Sequence, residues 1–416
     1  MERKRKSGVQ ISLAISSLFI GSFASELFTF ALGMYVLKVY KSSILFSLII
    51  FIGPFLSFIF SPFIGHLVDH FNHKRIVVMA QVASTLVLSI AAYFLFVVGN
   101  KAYFPAIIVV LAGLLELCDA FQSTAYKAST TGVVPTSDQQ KLIALEQGVS
   151  IIASLLSPIL GGGLFAIIPV VSFFILDIVG EIVALILILF LNFNFAEVAK
   201  IDEKPKEQSI LLDSKEALSF IKSDKILASM AIFGIIANFS MASINVGIPY
   251  VLVTLFKMKS LLFGIIQALM AVGMLTASIL WSVKHVKASL TKMTGIFGLI
   301  TTFSFVLFCL PLFTKLNMFV VYAISMLILG LSVTSINMPV SIYIRTKIPF
   351  EIQGRVNAFF NSAVIVLTPV GTAVFGLLFN KVSPIILFGI TGTILLILSI
   401  FMFTIDVPNK KTTKVL

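Results

Sequence analysis

Acidic residues inside apolar runs are the strongest chemical signal in this sequence. The first half of the chain holds six of them: Glu26, Glu116, Asp119, Glu146, Asp177 and Glu181. A charged side chain at the centre of a bilayer costs about 2.5–3.5 kcal/mol on insertion scales, so each acid needs a specific reason to be there. A carboxyl group in apolar surroundings favours its neutral form and can bind and release a proton near neutral pH. The sequence therefore predicts proton exchange in its first half, because the second half has no acid in the middle of an apolar run.

Glu116 and Asp119 are three residues apart, which places both carboxyl groups on one face of a helix. The same face continues with Ser123, Tyr126 and Lys127. We predict that Glu26, Glu116 and Asp119 bind a coupling proton or attract a cationic solute. Ser123 and Tyr126 then belong to the same cavity. The alternative is local hydrogen bonding among acids that stay protonated or paired.

The apolar runs of the second half carry neutral polar side chains instead of acids. Those that we assign to a solute cavity are Asn238, Asn245, Asn337 and Tyr343. With the 40 phenylalanines of the chain, these groups suit a bulky amphipathic solute better than a small, heavily charged one. Packing alone is the alternative for each of them. Pro249, Pro339 and Pro369 are expected to mark bends in the helices of this half.

The composition identifies the elements that must hold these side chains. Of 416 residues, 58% are hydrophobic and 12% are charged, and the mean hydropathy is +1.08, which indicates an integral membrane protein. Long apolar runs, in place of short alternating segments, predict an all-α membrane protein and not a β-barrel. Twelve runs are long enough to cross about 30 Å of hydrocarbon as helices. They lie at about 9–37, 43–64, 76–98, 103–131, 142–168, 171–195, 226–256, 260–283, 291–313, 318–344, 354–380 and 383–405.

The 30 basic residues test this count, because loops that face the cytoplasm carry most Lys and Arg. With twelve spans and the N-terminus inside, 23 basic residues fall on the cytoplasmic side and 7 fall outside. Both termini are then cytoplasmic, and the net charge of +12 reflects loop topology, not nucleic-acid binding. The predicted domains are an N-terminal six-helix bundle (1–195), a cytoplasmic linker (196–225) and a C-terminal six-helix bundle with its tail (226–416). Residues 209–223 of the linker are expected to form an interfacial helix.

The polar run GHLVDHFNHKR, from Gly65 to Arg75, lies in the predicted loop between the second and third spans. It resembles the signature loop of the major facilitator superfamily, in which glycine, aspartate, a turn glycine and several basic residues follow at fixed spacing. The positions that match are Gly65, Asp69, Lys74 and Arg75. Asn72 replaces the turn glycine, which is a mild departure because asparagine accepts a left-handed turn more readily than other non-glycine residues. The resemblance implies a conformational latch with Glu351 and Arg355 at the start of span eleven; a solvated, positive-inside loop is the alternative.

The segment ASLLSPILGG resembles the exporter motif of the same superfamily, which is glycine, three residues, Gly-Pro, two residues and Gly-Gly. The motif positions are Ser157, Pro158, Gly161 and Gly162, with serine in place of the second glycine. Small residues let helices approach closely, and proline bends a helix at the contact. In the family this motif accompanies export and not uptake. Ordinary small-residue packing is the alternative.

Over the whole chain, the sequence resembles the twelve-span macrolide-efflux and siderophore-exporter branch of this superfamily. The similar segments are LVDHFNHKRIVVMA, the Val-Pro loop before span five and QGRVNAFFNSAVIVLTPVG. In the family, spans one and four line the central cavity, which agrees with the choice of Glu26, Glu116 and Asp119. Leu115 stands where family members often carry an arginine implicated in proton transfer, so the usual relay is absent.

The remaining acids are expected to have structural roles. Span six is peripheral in the family, and Asp177 and Glu181 lie on it, so local hydrogen bonding is the preferred interpretation for both. Glu146 is expected near the N-terminus of the fifth helix, where a negative charge is favourable.

These observations predict a secondary active transporter of a bacterial cell membrane that exports a lipophilic or cationic drug-like compound, such as a macrolide, or a siderophore. Proton entry would drive export by alternating access. Its expected partners are the solute, protons and membrane lipid, and it is expected to act as a monomer. Because the sequence has no P-loop and no second cluster beside its loop histidines, we expect no cofactor and no metal site. A facilitator-type importer is the main alternative, and a pore, a membrane enzyme or a scaffold are others.

Overall fold

The computed structural model describes residues 2–98, 104–195, 210–283 and 289–405, and these residues form helices and connections without a β-strand. Within these ranges, twelve helical segments are long and apolar enough to cross a membrane. A helix is the natural state of such segments, because it satisfies every backbone hydrogen bond internally where no water is present. The predicted all-α fold with twelve spans is therefore confirmed, while the cytoplasmic placement of the termini stays a prediction.

The first six spans are formed by α1 (Glu2–Tyr35) with the π-helix π1 (Val36–Tyr40), α2 (Ser43–His70), α3 (His73–Val98), α4 (Phe104–Val133), α5 (Thr136–Leu164) and α6 (Val170–Phe190). A shorter helix, α7 (Ile210–Ser223), follows. The last six spans are formed by α8 (Lys225–Pro249) with the π-helix π2 (Tyr250–Leu255), α9 (Ser260–Val283), α10 (Leu290–Phe313), α11 (Met318–Lys347), α12 (Phe350–Ile365) with α13 (Thr368–Leu378), and α14 (Pro384–Thr404).

The helices group into two compact units. The first comprises Met1–Lys204 and Val246–Ala268, and the second comprises Pro205–Asn245 and Leu269–Leu416. The end of α8, all of π2 and the beginning of α9 therefore belong to the first unit. The domain boundaries inferred from the sequence stay a prediction.

In the first unit, α1 packs against α5 and α6, and α4 packs against α2 and α3. Helices α1 and α6 approach very closely, since a Cβ atom at Gly180 would lie 2.4 Å from the Cβ of Ala24. Ser17 Oγ also donates a hydrogen bond to the Ala184 carbonyl at 3.1 Å. Because α3 packs on α6 as well, residues of α3, α4 and α6 can meet in one layer.

In the second unit, α10 packs against α11 and α14, and α7 packs against α12. Helices α9 and α11 meet through two glycines. A Cβ at Gly273 would lie 2.1 Å from the Leu327 carbonyl oxygen, and a Cβ at Gly330 would lie 2.0 Å from the Met270 carbonyl oxygen. The two backbones approach this closely because both positions lack a side chain.

Two of the prolines expected to mark bends coincide with helix interruptions. Span eleven is divided at Val366 and Leu367, and α13 begins with Pro369 in its first turn. Pro249 ends α8 at the point where π2 begins. Pro339, by contrast, lies inside the continuous helix α11.

Helices π1 and π2 have the same sequence surroundings. A Tyr-Val-Leu triplet lies at the start of each, at residues 35–37 for π1 and 250–252 for π2. The helix that follows begins Ser-Ile-Leu-Phe after π1 and Ser-Leu-Leu-Phe after π2. Lys41 and Lys257 follow them, each with a φ of 51°, and in the described part of the chain they are the non-glycine residues with positive φ. Both segments belong to the first unit, where Thr254 Oγ1 donates to the Leu37 carbonyl at 3.3 Å.

Candidate functional site

Three carboxyl groups of the first unit form a cluster, and two of them are buried. Asp119 of α4 is close enough to Asp177 and Glu181 of α6 to interact electrostatically with both. Asp177 is 1% exposed and Glu181 is 5% exposed, whereas Asp119 is exposed. Asp177 and Glu181 are four residues apart and share one face of α6. The predicted acid Asp119 thus has two acidic neighbours to which the sequence assigned only a structural role.

Two glutamines join α3, α4 and α6 around these acids. Gln122 Nε2 donates to Gln81 Oε1 at 2.7 Å. Gln81 Nε2 donates to the Glu181 carboxylate and, at 3.3 Å, to the Glu181 backbone carbonyl. Gln81 is 1% exposed. A buried amide with both ends occupied has a defined orientation, so this chain of hydrogen bonds holds Glu181 in place.

Glu116 lies where α2 and α4 pack together. A Cβ at Gly53 would be 2.8 Å from Glu116 Cγ and 3.0 Å from its Oε2, so α2 reaches this point only because residue 53 has no side chain. Glu116 interacts electrostatically with Asp119. Glu26 is half-buried on α1. Of the three acids predicted to bind protons, the structure therefore links Glu116 with Asp119.

The polar face of α4 continues as the sequence predicts, but Tyr126 has a partner. Tyr126 OH donates to Glu146 Oε1 at 2.8 Å, and the exposed Ser123 donates to the Ala120 carbonyl at 3.4 Å. Helix α5 begins at Thr136, which places Glu146 about three turns inside it. The expectation of a helix N-terminal acid at Glu146 was wrong, because α5 begins earlier than its apolar run.

The second unit contains an open pocket with a cavity volume of about 100 Å³. Both Asn238 and Asn337 line it. The apolar part of the lining includes Met230, Phe233, Met241 and Phe360. Asn238 Nδ2 donates to the Gly234 carbonyl at 2.9 Å, and Asn337 is exposed. As far as the described residues show, the lining holds no charged side chain, so the pocket suits an apolar or amphipathic solute.

The other two polar residues assigned to a solute cavity lie elsewhere. Asn245 is exposed on α8. Tyr343 OH donates to Asp224 Oδ2 at 2.8 Å, and Asp224 Oδ1 accepts from the backbone N–H groups of Ile226 and Leu227 at 2.9 and 3.1 Å. Asp224 is therefore the N-cap of α8. Tyr343 ties α11 to this cap, which is a structural role.

Two residues of the signature-like loop have partners within the first unit. Lys74 Nζ donates to the carbonyls of Leu189 and Leu191, both at 2.8 Å, at the C-terminal end of α6. A cation is favourable there because the last carbonyls of a helix are unpaired. Asn72 Oδ1 accepts from the Arg75 N–H at 3.1 Å and caps α3. Asn72 does not use a left-handed conformation here, since its φ is not positive.

The predicted latch includes side chains outside the described part of the structure, namely those of Asp69, Glu351 and Arg355. Arg75 is exposed. Gly65 has open space where a Cβ would stand, so nothing in the described residues requires glycine at this position. The latch stays a prediction.

The exporter-like segment of α5 packs against α1. Ser157 is 0% exposed, and its Oγ donates to the Phe23 carbonyl at 3.4 Å. Gly161 lies beneath the Phe30 ring, where a Cβ would be 2.9 Å from Cδ1. The serine that replaces a motif glycine thus supplies an interhelical hydrogen bond in addition to close packing.

The same segment packs on its other side against the beginning of α9. A Cβ at Gly162 would lie 2.4 Å from the Ser260 carbonyl oxygen, and a Cβ at Gly264 would lie 1.9 Å from the Pro158 carbonyl oxygen. Lys38 of π1 reaches the same place and donates to Ser260 Oγ at 2.7 Å. Small residues on both helices therefore permit this contact.

Sequence reasoning missed Gln81 and Gln122, and it gave Asp177 and Glu181 too little weight. Polar amides within apolar runs and two acids at helical spacing were visible signals. The sequence did not show which face of α6 packs against α3. That face is set by the way in which α1 and α6 cross at Gly180.

Comparison with known proteins agrees with this architecture. A family model of the Major Facilitator Superfamily matches residues 14–365. Macrolide efflux protein A of Streptococcus pyogenes is 21% identical over 388 residues, which cover 92% of each chain. Its namesake from Enterococcus faecalis is 22% identical over 320 residues, which cover 75% of this chain and 94% of that one.

Among solved structures, a bacterial homologue of the iron transporter ferroportin in an inward-facing state is similar in fold. The TM-score is 0.72 at 11% sequence identity, with 94% of this chain and 98% of that chain covered. The resemblance to macrolide-efflux proteins and the multi-pass location in a bacterial cell membrane are confirmed. Twelve apolar helices in this fold, together with a family match over most of its length, show that the chain belongs to the Major Facilitator Superfamily of transporters.

Proposed function

We propose that this transporter exports a lipophilic or cationic drug-like solute, such as a macrolide, and that proton entry drives the export. The observation that carries the proposal is a division of chemistry between the two units. The first unit holds the clustered carboxyl groups, and the second holds an uncharged, largely apolar pocket. The names of the bacterial relatives support the same class of solute.

In this proposal, Glu116 and Asp119 act as the proton-binding pair. Two neighbouring carboxylates repel each other, so a proton bound by either one removes an unfavourable interaction. An equilibrium between two conformations shifts only as far as a ligand prefers one of them. The proton would therefore drive the change if one conformation desolvates the pair more than the other. Asn238 and Asn337 would orient the polar groups of the solute.

The proton-binding pair is tested by Glu116→Gln and Asp119→Asn in proteoliposomes that carry an imposed pH gradient. We expect each change to slow macrolide efflux about tenfold, equivalent to about 1.4 kcal/mol in the activation free energy. The physical reason is that the amide keeps the size of the acid and cannot exchange the proton. The measurement is the initial rate of efflux of a radiolabelled macrolide.

Glu216→Gln is the matched control, because Glu216 is an exposed acid on α7 outside the spans. Its efflux rate should equal that of the unaltered protein. Equal membrane insertion of all variants has to be shown by blotting. Efflux that is unchanged in both Glu116→Gln and Asp119→Asn would remove this pair from the mechanism.

Facilitator-type import is the alternative function. Counterflow in vesicles of known orientation separates the two, because a proton-driven exporter accumulates solute only on the side from which protons are supplied. The latch of the loop around Asp69 with Glu351 and Arg355 belongs to the same proposal, as do action as a monomer and the cytoplasmic termini.

A further inference from the structure

We propose that Asp119, Asp177 and Glu181, held by Gln81 and Gln122, form a buried proton-binding site between α3, α4 and α6. This inference rests on the proposed function in one respect, since a coupling proton is what the site would store. It adds two residues of α6 to the acids of α4.

The first observation is burial of two acids with no compensating cation among their described neighbours. The electrostatic neighbours of Asp177 are both carboxyl groups, Glu181 and Asp119. The three carboxyl groups cannot all be ionised, because each added charge is repelled by the others and the two on α6 are also desolvated. The cluster must therefore hold at least one proton or another cation.

An unpartnered oxygen is the second observation. Asp177 is 1% exposed, and its Oδ1 has no hydrogen-bond partner among the described residues. A buried polar atom is nearly always hydrogen-bonded, so an exception calls for an explanation. Protonation of the Asp177 carboxyl group would remove the charge that burial penalises, and this oxygen is free to carry the proton.

The hydrogen bonds of the two glutamine side chains fix which oxygen of Glu181 is free to bind a proton. Gln122 donates to Gln81, and Gln81 donates to Oε2 of Glu181. One oxygen of Glu181 is thus occupied by a donor, which leaves Oε1 to carry a proton. The neutral amides can orient Glu181 in either protonation state, because neither of them titrates.

Of the three acids, Asp119 has the most exposed surface, so we assign to it the exchange of protons with the surroundings of the cluster. In the exchange step, the Asp119 carboxylate takes a proton from a hydronium ion, which leaves as water. The proton then passes to the carboxylate of Glu181 or Asp177, and Asp119 is left ionised again. No other reactant is needed.

The remaining titratable groups around the cluster are few. Helix α4 adds Glu116 and Cys118, which interact electrostatically with Asp119. Helix α3 contributes the neutral Gln81 at this depth. Within the described residues, no group of three or more His, Cys, Asp or Glu side chains is placed to hold a metal ion, which favours a proton as the ligand.

The test is infrared spectroscopy of the purified protein during a pH titration, because the carbonyl stretch of a protonated carboxyl group is resolved from that of a carboxylate. We expect a protonated band near neutral pH in the unaltered protein. Glu181→Gln and Asp177→Asn should each remove or shift this band, since each removes one acid and lessens the repulsion on the others. Glu216→Gln, which changes an exposed acid, should leave it in place.

The measurement needs neither a solute nor a gradient, so it stays informative if proton-driven export fails. Gel filtration and thermal unfolding establish that each variant is folded, and the second variant serves if the first does not fold. Absence of a protonated band in the unaltered protein would overturn the proposal. A protonated band that neither Glu181→Gln nor Asp177→Asn affects would also overturn it. So would a rise in the melting temperature on addition of sodium in a protein that shows no protonated band.

Discussion

Asn337 offers the most direct test of the solute pocket at the scale of single residues. It is exposed on α11 and lines the pocket together with Asn238. Asn238 already donates to the Gly234 carbonyl, so part of its capacity is used. Asn337 is therefore the side chain best able to exchange water for a solute hydroxyl or amine.

Asn337→Leu should weaken binding of a macrolide about tenfold, equivalent to about 1.4 kcal/mol, because a polar group of the solute loses its partner in an apolar pocket. Equilibrium binding of a fluorescent macrolide to purified protein measures this. Asn361→Leu is the matched control, since Asn361 is exposed on α12 and outside the pocket lining. Equal affinity of Asn337→Leu and the unaltered protein would exclude this pocket as the binding site.

The sequence showed which spans carry polar side chains more readily than which groups those side chains contact. Asn337 and Asn238 line one pocket, whereas Tyr343 binds the cap of α8 through Asp224. Lys74 likewise binds the end of α6. Spacing along a helix places a side chain on a face but does not say which neighbouring helix end it meets, because that depends on helix crossings set by distant glycines.

At the scale of elements, close backbone contact between helices depends on particular glycines. Gly264 of α9 faces the Pro158 carbonyl of α5, and Gly389 of α14 has open space around it. A change from glycine to alanine is therefore expected to be unfavourable at Gly264 and tolerated at Gly389.

Gly264→Ala should destabilise the protein by about 1–3 kcal/mol, because the added methyl would lie 1.9 Å from the Pro158 carbonyl oxygen and force the helices apart. Gly389→Ala should be neutral or stabilising by up to about 1 kcal/mol, since alanine is the better helix former. Thermal unfolding in one detergent compares the two. A melting temperature of Gly264→Ala as high as that of Gly389→Ala would contradict the close contact.

The twelve spans could be predicted because the length and apolarity of a segment decide whether it crosses a bilayer. The π-helices at Val36–Tyr40 and Tyr250–Leu255 could not. A π-helix has the same hydropathy as the α-helix it continues and differs only in hydrogen-bond register. The early start of α5 at Thr136 was missed for a related reason, since its first turns are polar.

At the scale of the whole molecule, ionisable and solute-binding groups are distributed unequally. The carboxyl cluster belongs to the first unit and the uncharged pocket to the second. The basic residues are also unequal, with 23 of 30 in loops assigned to the cytoplasm. That assignment leads to a test of orientation.

Glu216→Cys, placed on α7, should react with a membrane-impermeant maleimide only after the cells are opened, and Lys315→Cys should react in intact cells. The reason is that Lys315 lies in a loop assigned to the outside by the distribution of charge. The native Cys118 and Cys309 are first replaced by serine. The reverse labelling pattern would overturn the cytoplasmic placement of both termini.

Lys41 and Lys257, which both have left-handed backbone conformations, bear on how the two halves of the chain arose. A φ of 51° costs a residue with a side chain about 1–2 kcal/mol, and it occurs after π1 and again after π2. Copying and joining of a half-length ancestor would leave this costly turn in both halves. Ser43 and Ser260, which follow the two turns, provide a point from which the two halves can be aligned.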